Sequence, residues 1–179
     1  MANRTIICAS PRAMGKSARV AKGLATALSR HFPADKVETL RLADLDIHHC
    51  IGCNACEATG ECFMEDDMAT VLDALASTDA LYIVSPVYFA GPPANYKAMI
   101  DRFQPHYWLE TRKKPKHQAC LVVLGDGGDP NGYAPLVDCT RSGLAVAGFQ
   151  LAQVYAYIGL DSDRIVDNVE RDLFGEGSR

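Results

Sequence analysis

What the sequence lacks narrows its function first. No apolar run approaches the ~18 residues that span a bilayer, so no membrane partner is expected. Charge of one sign is not in excess, since the formal net charge is -4. A nucleic-acid surface needs a basic stripe. The basic run Arg112-Lys113-Lys114 with Lys116 reads instead as a solvated loop, and no nucleic-acid partner is expected. There is no internal repeat, low-complexity tract or linker. No G-x-G-x-x-G fingerprint marks a separate dinucleotide site. Met1-Ala2-Asn3-Arg4 runs straight into an apolar segment, without the apolar region and small-residue cleavage site of a secretory leader. A cytoplasmic location is expected.

What is present suits one globular domain over residues 1–179, with 48% hydrophobic and 22% charged residues, enough to bury a proper core. Apolar runs at 5–9, 80–84 and 120–124 predict strands buried on both faces. Segments 37–42 and 150–158 predict two more. Helical periodicity covers 17–31, with Val20, Leu24, Ala27 and Leu28 on one face. A second helix begins at a cap, Asp66 or Asp67, and turns Met68, Val71, Leu72 and Leu75 inward. Further helices are predicted at about 94–103, 133–147 and 161–173. Strand and helix alternate, which predicts an α/β fold with a five-stranded parallel sheet between helical layers. Such sheets bind ligands beyond the carboxyl ends of their strands. That rule singles out the turns 9–17, 85–93 and 125–133.

The first turn, Ser10-Pro11-Arg12-Ala13-Met14-Gly15-Lys16-Ser17, brings hydroxyls, cations and a glycine to a helix N-terminus. Unpaired N–H groups and the helix dipole favour an anion there. Arg12 can fork onto phosphate oxygens, and Ser17 can donate its hydroxyl. Two other readings are open. Ser10 or Ser17 could simply cap the helix. Gly15-Lys16-Ser17 also matches the end of the nucleoside-triphosphatase loop; however, Ser10 stands where its first glycine belongs, and Pro11 removes a donor.

The second turn, Ser85-Pro86-Val87-Tyr88-Phe89-Ala90-Gly91-Pro92-Pro93, is stiff and aromatic. It offers ring faces and backbone polar groups, as a planar heterocycle requires. The third, Gly125-Asp126-Gly127-Gly128-Asp129-Pro130-Asn131-Gly132, lets backbone approach a ligand closely. The first turn, the segment Ser85-Pro86-Val87-Tyr88-Phe89 and the downstream Lys97-Ala98-Met99-Ile100-Asp101-Arg102-Phe103 resemble the NADPH-dependent FMN reductase family of flavodoxin-like proteins. The resemblance implies a sheet of order 2-1-3-4-5, FMN as cofactor and NAD(P)H as electron donor. It implies that Ser10, Arg12, Gly15, Lys16 and Ser17 hold the FMN phosphate. Pro86, Val87, Tyr88 and Phe89 would border the isoalloxazine, with Gly125, Asp126, Gly127 and Gly128 at its other edge.

The remaining motif is an insertion at about 46–65. Of seven cysteines, Cys50, Cys53, Cys56 and Cys62 follow the spacing C-x2-C-x2-C-x5-C. Three thiolates two residues apart can curl around one iron–sulfur cluster, with the fourth closing the cage. Zinc, with help from His48 or His49, remains an alternative, as does a metal-free thiol loop. The motif resembles the iron–sulfur flavoprotein branch of the same family. That implies a [4Fe–4S] cluster on those four cysteines and a homodimer or homotetramer joining cluster and flavin across subunits. Cys8, Cys120 and Cys139 read as buried thiols.

The expected function is therefore an NAD(P)H-dependent, FMN reductase-like oxidoreductase exchanging electrons between flavin and cluster. No side chain is required as acid or base, because flavin supplies the chemistry. The alternatives are an electron carrier for ferredoxin-like partners, a metal-free or zinc-binding flavodoxin-like protein, and a nucleotide-binding phosphohydrolase.

Overall fold

Residues of alternate strand positions divide the core in two. The computed structural model describes residues 1–175; residues 176–179 and the side chain of Arg112 lie outside the described residues. In β1 (Asn3–Cys8), Ile6 and Cys8 face one side of the sheet and Ile7 the other, as a period of two requires, and all three are buried. β2 (Lys36–Arg41), β3 (Ala80–Pro86), β4 (His117–Gly125) and β5 (Phe149–Ile158) complete the sheet. Its order is β2-β1-β3-β4-β5, with every neighbouring pair parallel.

Helices cover both faces. α1 (Lys16–His31) lays Val20, Leu24 and Leu28 against Ile6, Val84 and Val122. Beside it lies α7 (Ser162–Phe174) with Ile165 and Val169. The two approach closely because α1 carries Gly23, where a Cβ would stand 2.6 Å from Val166 Cγ1. The other face receives α3 (Met68–Ala76), α4 (Ala94–Asp101) and α6 (Ala134–Val146), which bury Val71, Tyr96, Met99 and Leu136 against Ile7, Ile83 and Leu121. Among the described residues no helix is long and apolar enough to cross a membrane.

Two short helices depart from the sequence-based expectation. The cysteine segment contains α2 (Ala55–Thr59), entered from left-handed Asn54 and left through left-handed Gly60. The helix expected to reach 103 stops at Asp101 and is followed by α5 (Gln104–Trp108), with Pro105 in its first turn, where a missing N–H is harmless. In the basic run Lys113 pairs with Glu110 at 2.6 Å, and Lys114 and Lys116 are exposed. Cys8 and Cys120 are buried and Cys139 half-buried, and all seven cysteines are free. Burial pushes the Cys120 thiol up to about 12, so that it packs as a small hydrophobe.

Candidate functional site

The chain leaves β1 outward to β2 and returns to β3 on the other side. The turns after β1 and β3 therefore diverge, opening a crevice at the switch point. A cavity of 180 Å³ fills it. The first turn contributes Ser10, Arg12, Gly15, Lys16 and Ser17 to its wall. Pro86, Val87 and Tyr88 line it from the end of β3, and Gly125 and Asp126 from the end of β4. Of the thirteen residues expected from sequence, these ten converge. Phe89, Gly127 and Gly128 do not line the cavity; all three stand exposed beyond it. Leu124, which sequence reasoning passed over as a strand residue, does line it.

The turn after β1 is built to receive negative charge. Gly15 occupies the N-cap of α1 and no side chain caps it, so neither Ser10 nor Ser17 has that role. The first N–H groups of the helix lack intrahelical acceptors and keep their dipole field. Ser10 and Ser17 are each 4% exposed. Ser10 Oγ accepts from the Arg12 amide at 3.1 Å and so shapes the turn. Lys16 Nζ reaches across to Asp126 Oδ1 at 2.9 Å. That ammonium holds the Asp126 carboxyl below the usual carboxylate range. Lys16 thus bridges the first and third turns.

The wall after β3 is stiff and strained. Val87 N–H donates to Leu124 at 2.9 Å, and Tyr88 and Gly91 exchange two backbone bonds of 3.0 Å. The residues between them, Phe89 and Ala90, have φ of 50° and 61°. Such a turn ordinarily takes Asn-Gly, since L-residues with a Cβ resist positive φ. The Ala90 carbonyl is fixed by the Leu136 amide of α6 at 3.0 Å. The Phe89 ring is fully exposed. A larger groove of 1060 Å³ runs along the outer flank of α1, sharing Gly15 and Lys16 with the crevice, but its walls are mainly alanines and long cations.

The four cysteines of the insertion line a second, separate cavity of 50 Å³, together with Arg102 and Trp108. Cys53 is exposed and the other three are half-buried. Burial pushes the Cys56 thiol up, and the sulfurs of Cys62, Cys50 and Cys53 add to that by proximity. Among the described residues no three His, Cys, Asp or Glu side chains already converge as a metal site. The donor set still suits a thiophilic group: four sulfurs on one wall, with a buried cation beside them to offset anionic charge.

That cation is the centre of the insertion's structure. Arg102 and Asp66 are 2% and 1% exposed and form a forked pair, with Nη1–Oδ2 at 2.6 Å and Nη2–Oδ1 at 3.1 Å. Asp66 Oδ1 also accepts from the Met68 amide and Oδ2 from the His48 amide. Burial opposes its ionisation, yet Arg102 and the two amides hold Asp66 below the usual carboxylate range. Of the two residues read from sequence as caps, Asp67 takes the N-cap of α3 without a side-chain cap bond, and Asp66 is one half of a buried ion pair.

A parallel sheet of this order, with an anion-accepting crevice at its switch point, defines a flavodoxin-like protein. Residues 3–162 match the model of the NADPH-dependent FMN reductases, and the chain belongs to that family of FMN-dependent flavoproteins. Among curated proteins it is 31% identical to an iron–sulfur flavoprotein of Archaeoglobus fulgidus, over 72% of this chain and 57% of that protein. It is 33% identical to an iron–sulfur flavoprotein of Methanocaldococcus jannaschii, over 68% of this chain and 63% of that one. The chain thus spans about three-fifths of the length of these relatives. An azoreductase from Bacillus anthracis shares the fold, with a TM-score of 0.70 at 14% identity over 96% of both chains.

Proposed function

We propose that this chain is an FMN-dependent oxidoreductase that takes electrons from NAD(P)H and passes them through a [4Fe–4S] cluster. The observation that carries the reading is the crevice at the ends of β1, β3 and β4, where uncapped helix amides, two buried hydroxyls and two cations meet a stiff aromatic wall. Arg12, Ser10, Ser17 and the α1 amides hold the FMN phosphate. Pro86, Val87 and Tyr88 orient the isoalloxazine. Cys50, Cys53, Cys56 and Cys62 hold the cluster. When bound, flavin accepts a hydride and the cluster carries single electrons. The chain's own residues bind, orient and exclude water, and none serves as acid or base.

The two cavities share no lining residue. In this reading a homodimer or homotetramer brings the cysteine cavity of one copy to the crevice of another. The same reading places the protein in the cytoplasm, as one domain.

One experiment tests the reading. Anaerobically purified protein is expected to show flavin bands with a broad brown shoulder, and NADPH or NADH is expected to bleach the flavin. Colourless protein that ignores added FMN would end the proposal. Bleaching by a reduced ferredoxin but by neither nucleotide would establish the electron-carrier alternative.

A further inference from the structure

A guanidinium has five N–H donors in a fixed fork, and at Arg102 four of the five are assigned. Nη1 donates to Asp66 Oδ2 at 2.6 Å and to the His48 carbonyl at 3.0 Å. Nη2 donates to Asp66 Oδ1 at 3.1 Å and to the Met64 carbonyl at 3.4 Å. His48 stands just before Cys50 and Met64 just after Cys62, so one side chain pins both ends of the cysteine segment. The fifth donor, Nε–H, is buried without a partner. A buried donor left unpaired is costly, so its lack of a partner calls for a reason. Cys62 lines the same cavity. The Cys62 side chain lies beside the guanidinium, yet no hydrogen bond to it is formed at Nε.

We propose that Arg102 is a positioning residue for the cluster, whose spare Nε–H donates to the Cys62 sulfur when that sulfur is a ligand. This rests on the iron–sulfur reading above and adds a role for a residue outside the cysteine motif. A hydrogen bond to a ligand sulfur stabilises the more negative, reduced cluster and raises its reduction potential. Lysine cannot replace the fork, because it has a single nitrogen and no fixed geometry.

The test compares Arg102→Lys with Asp66→Asn in anaerobically reconstituted protein, reading iron and sulfide per FMN, release of iron to a chelator, and cluster potential by EPR-monitored titration. FMN content is the fold control, since Arg102 lines none of the flavin crevice. Both variants loosen the clamp, and both are expected to lose iron about 10- to 100-fold faster. Only Arg102→Lys removes the Nε donor, so only it is expected to lower the cluster potential and alter the EPR signal. A wild-type potential in Arg102→Lys overturns the proposal. Equal potential shifts in the two variants, or equal failure to rebuild a cluster, overturn it as well, because the clamp alone would then account for everything. Wild-type protein that carries FMN but neither iron nor sulfide overturns the underlying reading instead.

Discussion

The crevice at the sheet ends and the cysteine cavity meet the same demand by opposite means. The crevice is made by the scaffold. Its walls are strand ends whose positions follow from the β ladder, and its attraction for anions comes from backbone at the start of α1. The cysteine cavity is made by an insertion between β2 and α3 that has little regular structure and depends on one buried ion pair. A scaffold-borne site exists before its guest arrives. A thiol site is completed by what it binds. The contrast teaches that losing the second site should leave the first intact, and the converse need not hold.

The largest expected effect breaks the comparison at the cysteines. Replacing Cys53 and Cys56 together by Ala is expected to abolish iron binding and cluster absorbance while FMN remains bound, as iron analysis and flavin absorbance would record. Unchanged iron would remove these residues from the ligand set. Next comes Asp66→Asn, which strands a buried guanidinium and is expected to destabilise by about 3–5 kcal/mol, read by calorimetry. The wild-type carboxylate is held low, so its contribution is complete above the ordinary carboxylate range, near pH ~4. That contribution is lost as pH falls through the lower native value. Asp66→Asn should lack this acid limb.

On the crevice side, Arg12→Ala removes a charged donor worth about 1.5–3 kcal/mol. FMN titration should show about 10- to 150-fold weaker binding with the iron content unchanged. A loss of iron as well would show that the two sites are coupled. The smallest effect belongs to Asp126→Asn. The exposed pair with Lys16 contributes only ~0–1 kcal/mol to stability, but it occupies a cation at the crevice and sets a carboxylate near the anion. Its removal should leave the melting midpoint unchanged and tighten FMN binding a few-fold (~1 kcal/mol or less). Weaker binding would mean that Asp126 itself contacts the flavin.

Much of the scaffold was legible because its periodicities are strong. The buried runs of β1, β3 and β4 and the apolar stripe of α1 appear where the residue pattern sets them. α2 and α5 were not legible. Each has five residues, too short to show a helical period, and Pro105 reads as a breaker unless its place in the first turn is known. Most of the crevice could be located from strand ends, since backbone topology brings those turns together. The exposure of Phe89 could not, because it depends on a left-handed turn that Phe-Ala does not advertise. Asp66 looked like a cap and is one partner of an ion pair whose other member lies 36 residues away. Lys16 and Asp126 are 110 residues apart. Pairings of that kind are products of tertiary folding and leave no local trace.

The chain contains a single tryptophan, and it stands at the rim of the sulfur-lined hollow, its ring edge-on to Tyr107 with centroids 5.1 Å apart. Indole emission from this protein therefore originates at one address. Light leaving Trp108 is an unlabelled gauge of what occupies that hollow, built into the molecule at the place where a dye would otherwise have to be attached.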